Sequence, residues 1–119
     1  MMAAYIAPGA KIIVYEGTHW NDVLNRMATD NIAKQLSSSR CFSPINATTE
    51  QIFQEMIAQG QSLMQASGDD GAYSGWIMPP ADDPNVTVVG GTSLTTGPGG
   101  AWATETAWGD GGGVSTDER

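Results

Sequence analysis

The stretch Ala66-Ser67-Gly68-Asp69-Asp70-Gly71-Ala72 follows the apolar run Ser62-Leu63-Met64 and is the best starting point for predicting the fold. An apolar run that ends abruptly in Ser-Gly-Asp-Asp-Gly is typical of a buried strand followed by a sharp turn, because glycine adopts backbone angles that other residues avoid. Open α/β sheets place their chemistry where strands end at the carboxyl edge. We therefore expect this turn to aim a polar side chain, foremost Asp69, out of the end of a strand.

Length and charge limit what the chain can be. Its 119 residues (12.5 kDa) fit one domain, and 40% hydrophobic with 15% charged residues is a globular composition. The net charge is −8, with only 5 Lys and Arg residues, which is too few for the basic surface that a phosphate backbone requires. Nucleic acid is therefore excluded as an expected partner.

No part of the sequence predicts insertion into a membrane. No apolar run approaches the roughly 18 residues that a transmembrane helix needs. The first eight residues, Met1-Met2-Ala3-Ala4-Tyr5-Ile6-Ala7-Pro8, lack the basic and then long apolar pattern of a signal peptide. Cys41 is the only cysteine, so no intramolecular disulfide is expected. These features predict no membrane partner and leave the cellular compartment open.

Apolar periodicity predicts strands that alternate with helices. The predicted strands lie at 11–15, 32–38, 62–66 and 85–91. The predicted helices run from an N-cap at Thr18 to about residue 30, and from a capping box at Thr48-Thr49-Glu50-Gln51 to a stop at Gly60. Such alternation is typical of a parallel sheet with right-handed crossovers.

The second half is rich in glycine and predicts turns. Gly97-Pro98-Gly99-Gly100 lies between two short alternating segments, so a β-hairpin is expected over 92–108. The complete expectation is one α/β domain over 1–119, with three layers and a mainly parallel sheet flanked by helices. The hairpin lies at its C-terminal side, and a flexible glycine-rich tail occupies about 109–119.

Asp69 is the strongest candidate for chemistry, and three roles are open to it. A protonated carboxyl can donate a hydrogen bond to a developing oxyanion. An ionised one can help to hold a cation with Asp70, or it can simply bond the backbone of its own turn. A calcium site of Asp69, Asp70, Asp82 and Asp83 is weakly supported, since the two pairs are far apart and the second pair lies between prolines, where we expect it to be solvated.

Three further residues are weaker candidates. Ser93 follows Gly-Gly-Thr, as a subtilisin-like nucleophile would, but the Gly-Pro-Gly-Gly sequence after it excludes the helix that such a serine must begin. His19 has no serine or acid that the sequence places beside it, so a surface position is expected. Cys41 lacks a second cysteine, which argues against a metal site.

Five segments together resemble the sedolisin family of serine-carboxyl peptidases, which have the subtilisin fold and act at acidic pH. They are Ile6-Ala7-Pro8-Gly9-Ala10-Lys11-Ile12, Ser37-Ser38-Ser39, Ala58-Gln59-Gly60-Gln61-Ser62, the stretch from Ala66 to Ala72, and Val86-Thr87-Val88-Val89-Gly90-Gly91-Thr92-Ser93-Leu94 with Glu105-Thr106-Ala107-Trp108 and Gly111-Gly112-Gly113-Val114-Ser115. The resemblance spans nearly the whole chain and is specific as a set.

The resemblance implies a role for the opening turn and for the segment after the second strand. In the family, the Asp of the Ser-Gly-Asp motif forms the oxyanion hole, which gives that role to Asp69 and places Gly68 beside the substrate. A Ser-Trp-Gly segment binds the substrate backbone as an added strand. Ser39-Arg40-Cys41 stands in its place here, so these three residues are the expected substrate-binding segment, with a side chain where the family has glycine.

The resemblance also implies that this chain is a central fragment of the catalytic domain. The family's catalytic Glu and Asp precede the Ala-Pro-Gly-Ala segment, and its nucleophile lies in a Gly-Thr-Ser-Ala motif after the Gly-Gly-Gly segment. No Asp or Glu precedes Glu16, and the chain ends at Arg119. We therefore expect a chain without the Ser-Glu-Asp triad, inactive alone, whose partner is a polypeptide substrate once the domain is completed.

The family resemblance also bears on the cofactor and the cellular location, and a second function stays open beside it. The family's calcium ligands lie outside the region present, so no cofactor is expected in this chain, and the family is usually secreted. The alternative is a non-catalytic α/β module that self-associates or binds a partner through exposed apolar faces and sheet edges.

Overall fold

Three parallel strands form the centre of the fold, and the computed structural model describes residues 2–116. The helices are α1 (Met2–Ile6), α2 (Trp20–Asp30) and α3 (Ala47–Ala58), with a 3₁₀ turn at Pro98–Gly100. The strands are β1 (Gln35–Ser38), β2 (Ser62–Ala66), β3 (Tyr73–Gly75), β4 (Thr87–Val89), β5 (Thr92–Thr96), β6 (Trp102–Ala107) and β7 (Gly113–Ser115).

The central sheet has the order β1-β2-β4, and both of its pairings are parallel. Leu36 of β1 lies opposite Leu63 of β2, so both leucines point to the same face. Helix α3 connects β1 to β2, as a parallel pair requires. The α/β class, the mainly parallel sheet with its helices and the C-terminal strand pair are confirmed.

The buried core lies between this sheet and two helices on one of its faces. It consists of Leu24, Ala28, Leu36, Ile52, Phe53, Met56, Leu63 and Val86. Because α2 and α3 both contribute to this one cluster, they cover the same face of the sheet. On the opposite face, Met64 and Val89 are exposed in the described part of the chain.

Both main helices begin at residues other than the predicted caps. The Asn46 side chain accepts hydrogen bonds from the backbone N–H groups of Thr48 and Thr49, and Thr49 completes the capping box, two positions before the expected start. Helix α2 has His19 at its N-cap with no side-chain hydrogen bond, so the prediction of Thr18 was wrong. The predicted stop at Gly60 is confirmed, since α3 ends at Ala58 and Gly60 has φ +76°.

The predicted strand at 11–15 was wrong as a strand. The segment has no regular secondary structure and forms no ladder with any strand in residues 2–116. It lies across a cleft of about 670 Å³ from β1, lined by Ile12, Val14, Met27 and Leu36 among others. A strand requires a partner that supplies hydrogen bonds, and apolar β-branched residues alone do not provide one.

The C-terminal half contains the expected hairpin and one strand that was not expected. Strands β5 and β6 pair antiparallel around the turn at Gly97-Pro98-Gly99-Gly100. The glycine-rich stretch from Gly109, predicted to be loose, contains β7, which pairs parallel with β3 so that Gly113 lies opposite Tyr73. Residues 117–119 of that predicted tail lie outside the described residues.

Phe53 is the largest fully buried side chain within residues 2–116, so shortening it tests the core directly. Phe53→Ala should lower the free energy of unfolding by about 3–5 kcal/mol, because it removes buried apolar area and leaves a cavity. Urea unfolding followed by circular dichroism measures the change. Gln54→Ala at the adjacent exposed position is the control and should stay within about 0.5 kcal/mol. Equal effects of the two substitutions would contradict the assigned core.

Candidate functional site

The turn after β2 is held by a backbone hydrogen bond and by glycine geometry. The Ser67 N–H donates to the Val89 carbonyl at 3.0 Å, which ties the start of the turn to the end of β4. Gly68 and Gly71 have φ of +102° and +84°, angles that side-chain-bearing residues rarely adopt. The chain therefore leaves the sheet sharply at this point, as the Ser-Gly-Asp-Asp-Gly sequence predicts.

Two close approaches pack other parts of the chain against the turn. A methyl group added at Gly68 would collide with the Tyr73 ring, and the Tyr73 hydroxyl accepts a hydrogen bond from the Asp70 N–H at 3.3 Å. A methyl group added at Gly111 would collide with the Gly68 carbonyl and lie 3.0 Å from Ser67 Oγ. The loop before β7 is thus packed directly on the turn, which explains the need for glycine there.

A pocket of about 340 Å³ opens beside this turn. It is lined by Ser39, Cys41, Ala66, Gly68, Asp69, Asp70, Tyr73 and Met78. Four of the five predicted site residues, Ser39, Cys41, Gly68 and Asp69, therefore meet in one pocket. The Asp69 carboxyl is exposed at this pocket, where a bound molecule can reach it.

Arg40, the fifth predicted site residue, does not line this pocket. Its guanidinium carbon lies 5.9 Å from the centre of the Trp20 ring, within cation–π range. Trp20 in turn stacks on Phe42, with ring centres 4.6 Å apart. The side chain of Arg40 is thus directed to α2, whereas its neighbours Ser39 and Cys41 border the pocket of Asp69.

A buried glutamine connects the two parts of the site. Gln65 has none of its surface exposed, and its Nε2 donates to the Arg40 carbonyl at 3.2 Å. The Arg40 N–H donates to Ser38 Oγ at 3.1 Å. Since Gln65 precedes the turn by two residues, this bond fixes the position of the 39–41 segment relative to Gly68 and Asp69.

The electrostatic environment of the pocket is visible at Cys41. Burial raises the pKa of the Cys41 thiol above its ordinary value, and the charges of Asp69 and Asp70 raise this pKa further. Cys41 is therefore a thiol rather than a thiolate near neutral pH. The carboxylates of Asp69 and Asp70 therefore make the side of the 39–41 segment that borders the pocket acidic.

The other candidate residues lie elsewhere. Ser93 is exposed within β5 opposite Thr106, so it does not begin a helix, and His19 is exposed at the start of α2. Asp83 was expected to be solvated, but only 3% of its surface is exposed, and its Oδ1 accepts from the Asn85 N–H at 2.8 Å. That expectation was wrong because Asp83 lies within a buried turn, where its own N–H donates to the Pro80 carbonyl.

Residues 2–116 contain no group of three or more His, Cys, Asp or Glu side chains that could hold a metal ion. None of the helices in this range combines the length and apolar character that crossing a bilayer requires.

Several residues of the site had no assigned role in the sequence. Tyr73 and Met78 line the pocket, and Gln65 and Trp20 position the segment opposite it. One signal was available: Gln65 is a polar residue at an inward position, two after the buried Leu63, and such a residue needs a hydrogen-bond partner. The partner itself comes from residues distant in the chain and could not be found by local pattern.

The acidic pocket predicts a pH-dependent reactivity of Cys41. Replacing both carboxylates, as Asp69→Asn with Asp70→Asn, should lower the pKa of Cys41 and speed its alkylation by iodoacetamide near pH 8, because the thiolate is the reactive form. The pKa should remain above its ordinary value, since burial is its largest cause. Asp22→Asn, on an exposed part of α2, is the control. An unchanged rate profile in the double variant would contradict the assigned pocket.

Two curated relatives match the chain. The chain is 35% identical over 112 residues to sedolisin of Pseudomonas sp. (strain 101), and the match covers 79% of this chain and 19% of the relative. It is 34% identical over 121 residues to xanthomonalisin of Xanthomonas sp. (strain T-22), covering 73% and 14%. The chain thus spans less than a fifth of the length of either relative. No family model matches.

Solved structures show the same relationship. Pseudomonas sedolisin, a serine-carboxyl proteinase complexed with two molecules of pseudo-iodotyrostatin, superposes with a TM-score of 0.66 at 31% identity, over 82% of this chain and 34% of that one. Sphericase superposes with a TM-score of 0.50 at 20% identity, over 84% and 34%, and supports the subtilisin-like fold alone. The chain therefore belongs to the sedolisin family of serine-carboxyl peptidases and matches one part of the length of its relatives.

Proposed function

We propose that this chain supplies the oxyanion-hole turn and the substrate-binding segment of an acid-active serine-carboxyl endopeptidase. The observation that carries the proposal is one pocket shared by Asp69, on the glycine turn, and by Ser39 and Cys41 from the neighbouring strand end. The family relationship indicates which reaction the pocket serves. The positions of the residues around the pocket indicate the role of each.

Asp69 would act as an acid that stabilises charge. When a serine attacks a peptide carbonyl, the carbonyl oxygen becomes an oxyanion, and a protonated carboxyl at hydrogen-bond distance donates to it. An ionised carboxyl has no proton to donate and repels the oxyanion. The role therefore requires the protonated carboxyl, which fits a family that acts at acidic pH.

The 39–41 segment is suited to hold the substrate backbone. Both main-chain groups of Arg40 are used, one by Ser38 Oγ and the other by Gln65. The main-chain groups of Ser39 and Cys41 make no hydrogen bond within the described residues, and in extended chain they point to the edge opposite to those of Arg40. A substrate can therefore pair with Ser39 and Cys41 as an added strand.

The chain by itself should not hydrolyse peptide bonds. The family resemblance assigns the triad serine, glutamate and aspartate to segments outside the region that this chain matches. An oxyanion hole without a nucleophile leaves only a small residual rate. Incubation with an unfolded protein at about pH 3 to 5 should give no fragments by mass spectrometry.

A chimera tests the role of Asp69. When this chain replaces the matching segment of Pseudomonas sedolisin, the hybrid should cleave peptides at acidic pH. Asp69→Ala in the hybrid should lower kcat by about 10²–10³-fold, because one oxyanion donor is lost. Asp69→Asn retains a donor that does not ionise, so its rate should depend less on pH at the upper end.

The matched control in the chimera is Asp70→Ala. Asp70 lines the same pocket, but its N–H contacts the Tyr73 hydroxyl, and no oxyanion role is assigned to its carboxyl. Its loss should be less than about tenfold. If Asp69→Ala and Asp70→Ala lower kcat equally, Asp69 is not the oxyanion donor.

The second candidate function is a non-catalytic module that self-associates, and one observation favours it. Met64 and Val89 are exposed on the face of the sheet that α2 and α3 do not cover, and β1 has a free edge within residues 2–116. Exposed apolar faces and free strand edges are typical association surfaces.

Self-association can be measured by multi-angle light scattering over a range of concentrations. The second candidate predicts a dimer or larger species whose mass falls to that of a monomer with Met64→Lys, which places a charge on the open face. Gln54→Lys, on the exposed side of α3, is the control and should leave the mass unchanged. A monomer at every concentration would contradict this candidate.

A further inference from the structure

Arg40 is a cation beside the candidate site that has no acidic partner in the described residues. The ion pair found within residues 2–116 joins Arg26 to Asp30. Lys34 donates to the Asn31 side chain and to the Gln59 carbonyl. In a chain of net charge −8, a guanidinium that pairs with none of the described carboxylates is available to an incoming one.

The surroundings of Arg40 hold its guanidinium in place without using its donors. Its guanidinium carbon lies 5.9 Å from the centre of the Trp20 ring, Trp20 stacks on Phe42, and the Phe42 N–H donates to the Pro79 carbonyl at 3.0 Å. A cation–π contact uses none of the guanidinium N–H groups, so they can still bond a carboxylate, often with two parallel hydrogen bonds. Arg40 is thus preorganised to bind an acidic group.

Arg40 and the acidic pocket lie on opposite sides of one short segment. Ser39 and Cys41 border the pocket that contains Asp69 and Asp70, whereas Arg40 is directed to Trp20. An extended peptide also alternates its side chains between two sides. A peptide paired with this segment therefore presents one residue to carboxylates and the next residue to a guanidinium.

We propose that Arg40 is a specificity-determining residue that selects polypeptides with an acidic side chain, adjacent to a neutral or basic residue that faces Asp69 and Asp70. This inference rests on the proposed function, since it requires a peptide to lie along 39–41. An acidic residue on the pocket side would meet like charge, so the two sides discriminate in opposite directions. Because Arg40 is exposed, we expect a preference of about three- to tenfold.

Binding of labelled peptides to the full chain tests the proposal without requiring catalysis. Three extended peptides carry an uncharged fluorophore and differ only in one residue, which is Glu, Gln or Lys. Anisotropy is measured at about pH 6, where a Glu side chain is ionised. The Glu peptide should bind about three- to tenfold more tightly than the Gln peptide, and the Lys peptide should bind most weakly.

Variants separate the guanidinium from general charge effects. Arg40→Gln should make the Glu and Gln peptides bind equally, and Arg40→Lys should keep part of the preference because it retains the charge but not the planar fork. Arg26→Gln removes the cation that pairs with Asp30 and should leave the preference unchanged. Circular dichroism confirms that each variant is folded.

The outcomes distinguish the role of Arg40 from the proposed peptide binding on which that role rests. Equal binding of the Glu and Gln peptides to the unsubstituted chain, or a preference that survives Arg40→Gln, overturns the role of Arg40 while peptide binding stands. If none of the three peptides binds at millimolar concentration, both the substrate-binding segment and the role of Arg40 are overturned.

Discussion

The hydrogen bond from the Ser67 N–H to the Val89 carbonyl is the interaction on which the site depends. It holds the start of the turn against the end of β4. Beyond it, Gly68 adopts a positive φ and lies so close to Tyr73 that no side chain fits. Asp69 therefore leaves the sheet in a direction fixed by the backbone rather than by the flexibility of its own side chain.

The sheet beneath the turn fixes the second part of the site. Leu63 anchors β2 in the core, and two residues later the buried Gln65 donates to the Arg40 carbonyl. A buried Nε2 group costs free energy unless it is hydrogen-bonded, so this contact stabilises the segment that it holds. The same strand thus positions the oxyanion turn at its end and the substrate-binding segment at its side. One strand, β2, therefore both contributes to the core and holds the site in position.

Local patterns predicted much of this arrangement. The Ser62–Ala66 strand, the turn at Gly68 and the hairpin follow from apolar runs and turn-forming glycines, which act over a few residues. The 39–41 segment was predicted from the family resemblance rather than from a local pattern. Strand pairing was less predictable: residues 11–15 have strand composition without a ladder partner, and Gly113 lies in a strand because Tyr73, far away in sequence, supplies its partner.

The site residues that sequence reasoning missed share one property. Tyr73, Met78 and Trp20 act through contacts that the chain makes only after folding, so no spacing marks them. The direction of Arg40, towards Trp20 and away from Asp69, has the same origin. As a result, the 39–41 segment has a cationic side and an acidic side, which the net charge of the chain does not reveal.

Amide hydrogen exchange at Ser67 tests most directly whether the turn is preorganised in this chain. Because the Ser67 N–H is bonded to the Val89 carbonyl, its exchange should be slowed to the level of the β2 amides, such as that of Gln65. The exposed Ala72 provides the comparison within the same molecule. Exchange of Ser67 as fast as that of Ala72, with the β2 amides still protected, would contradict the account of a turn held ready by its backbone.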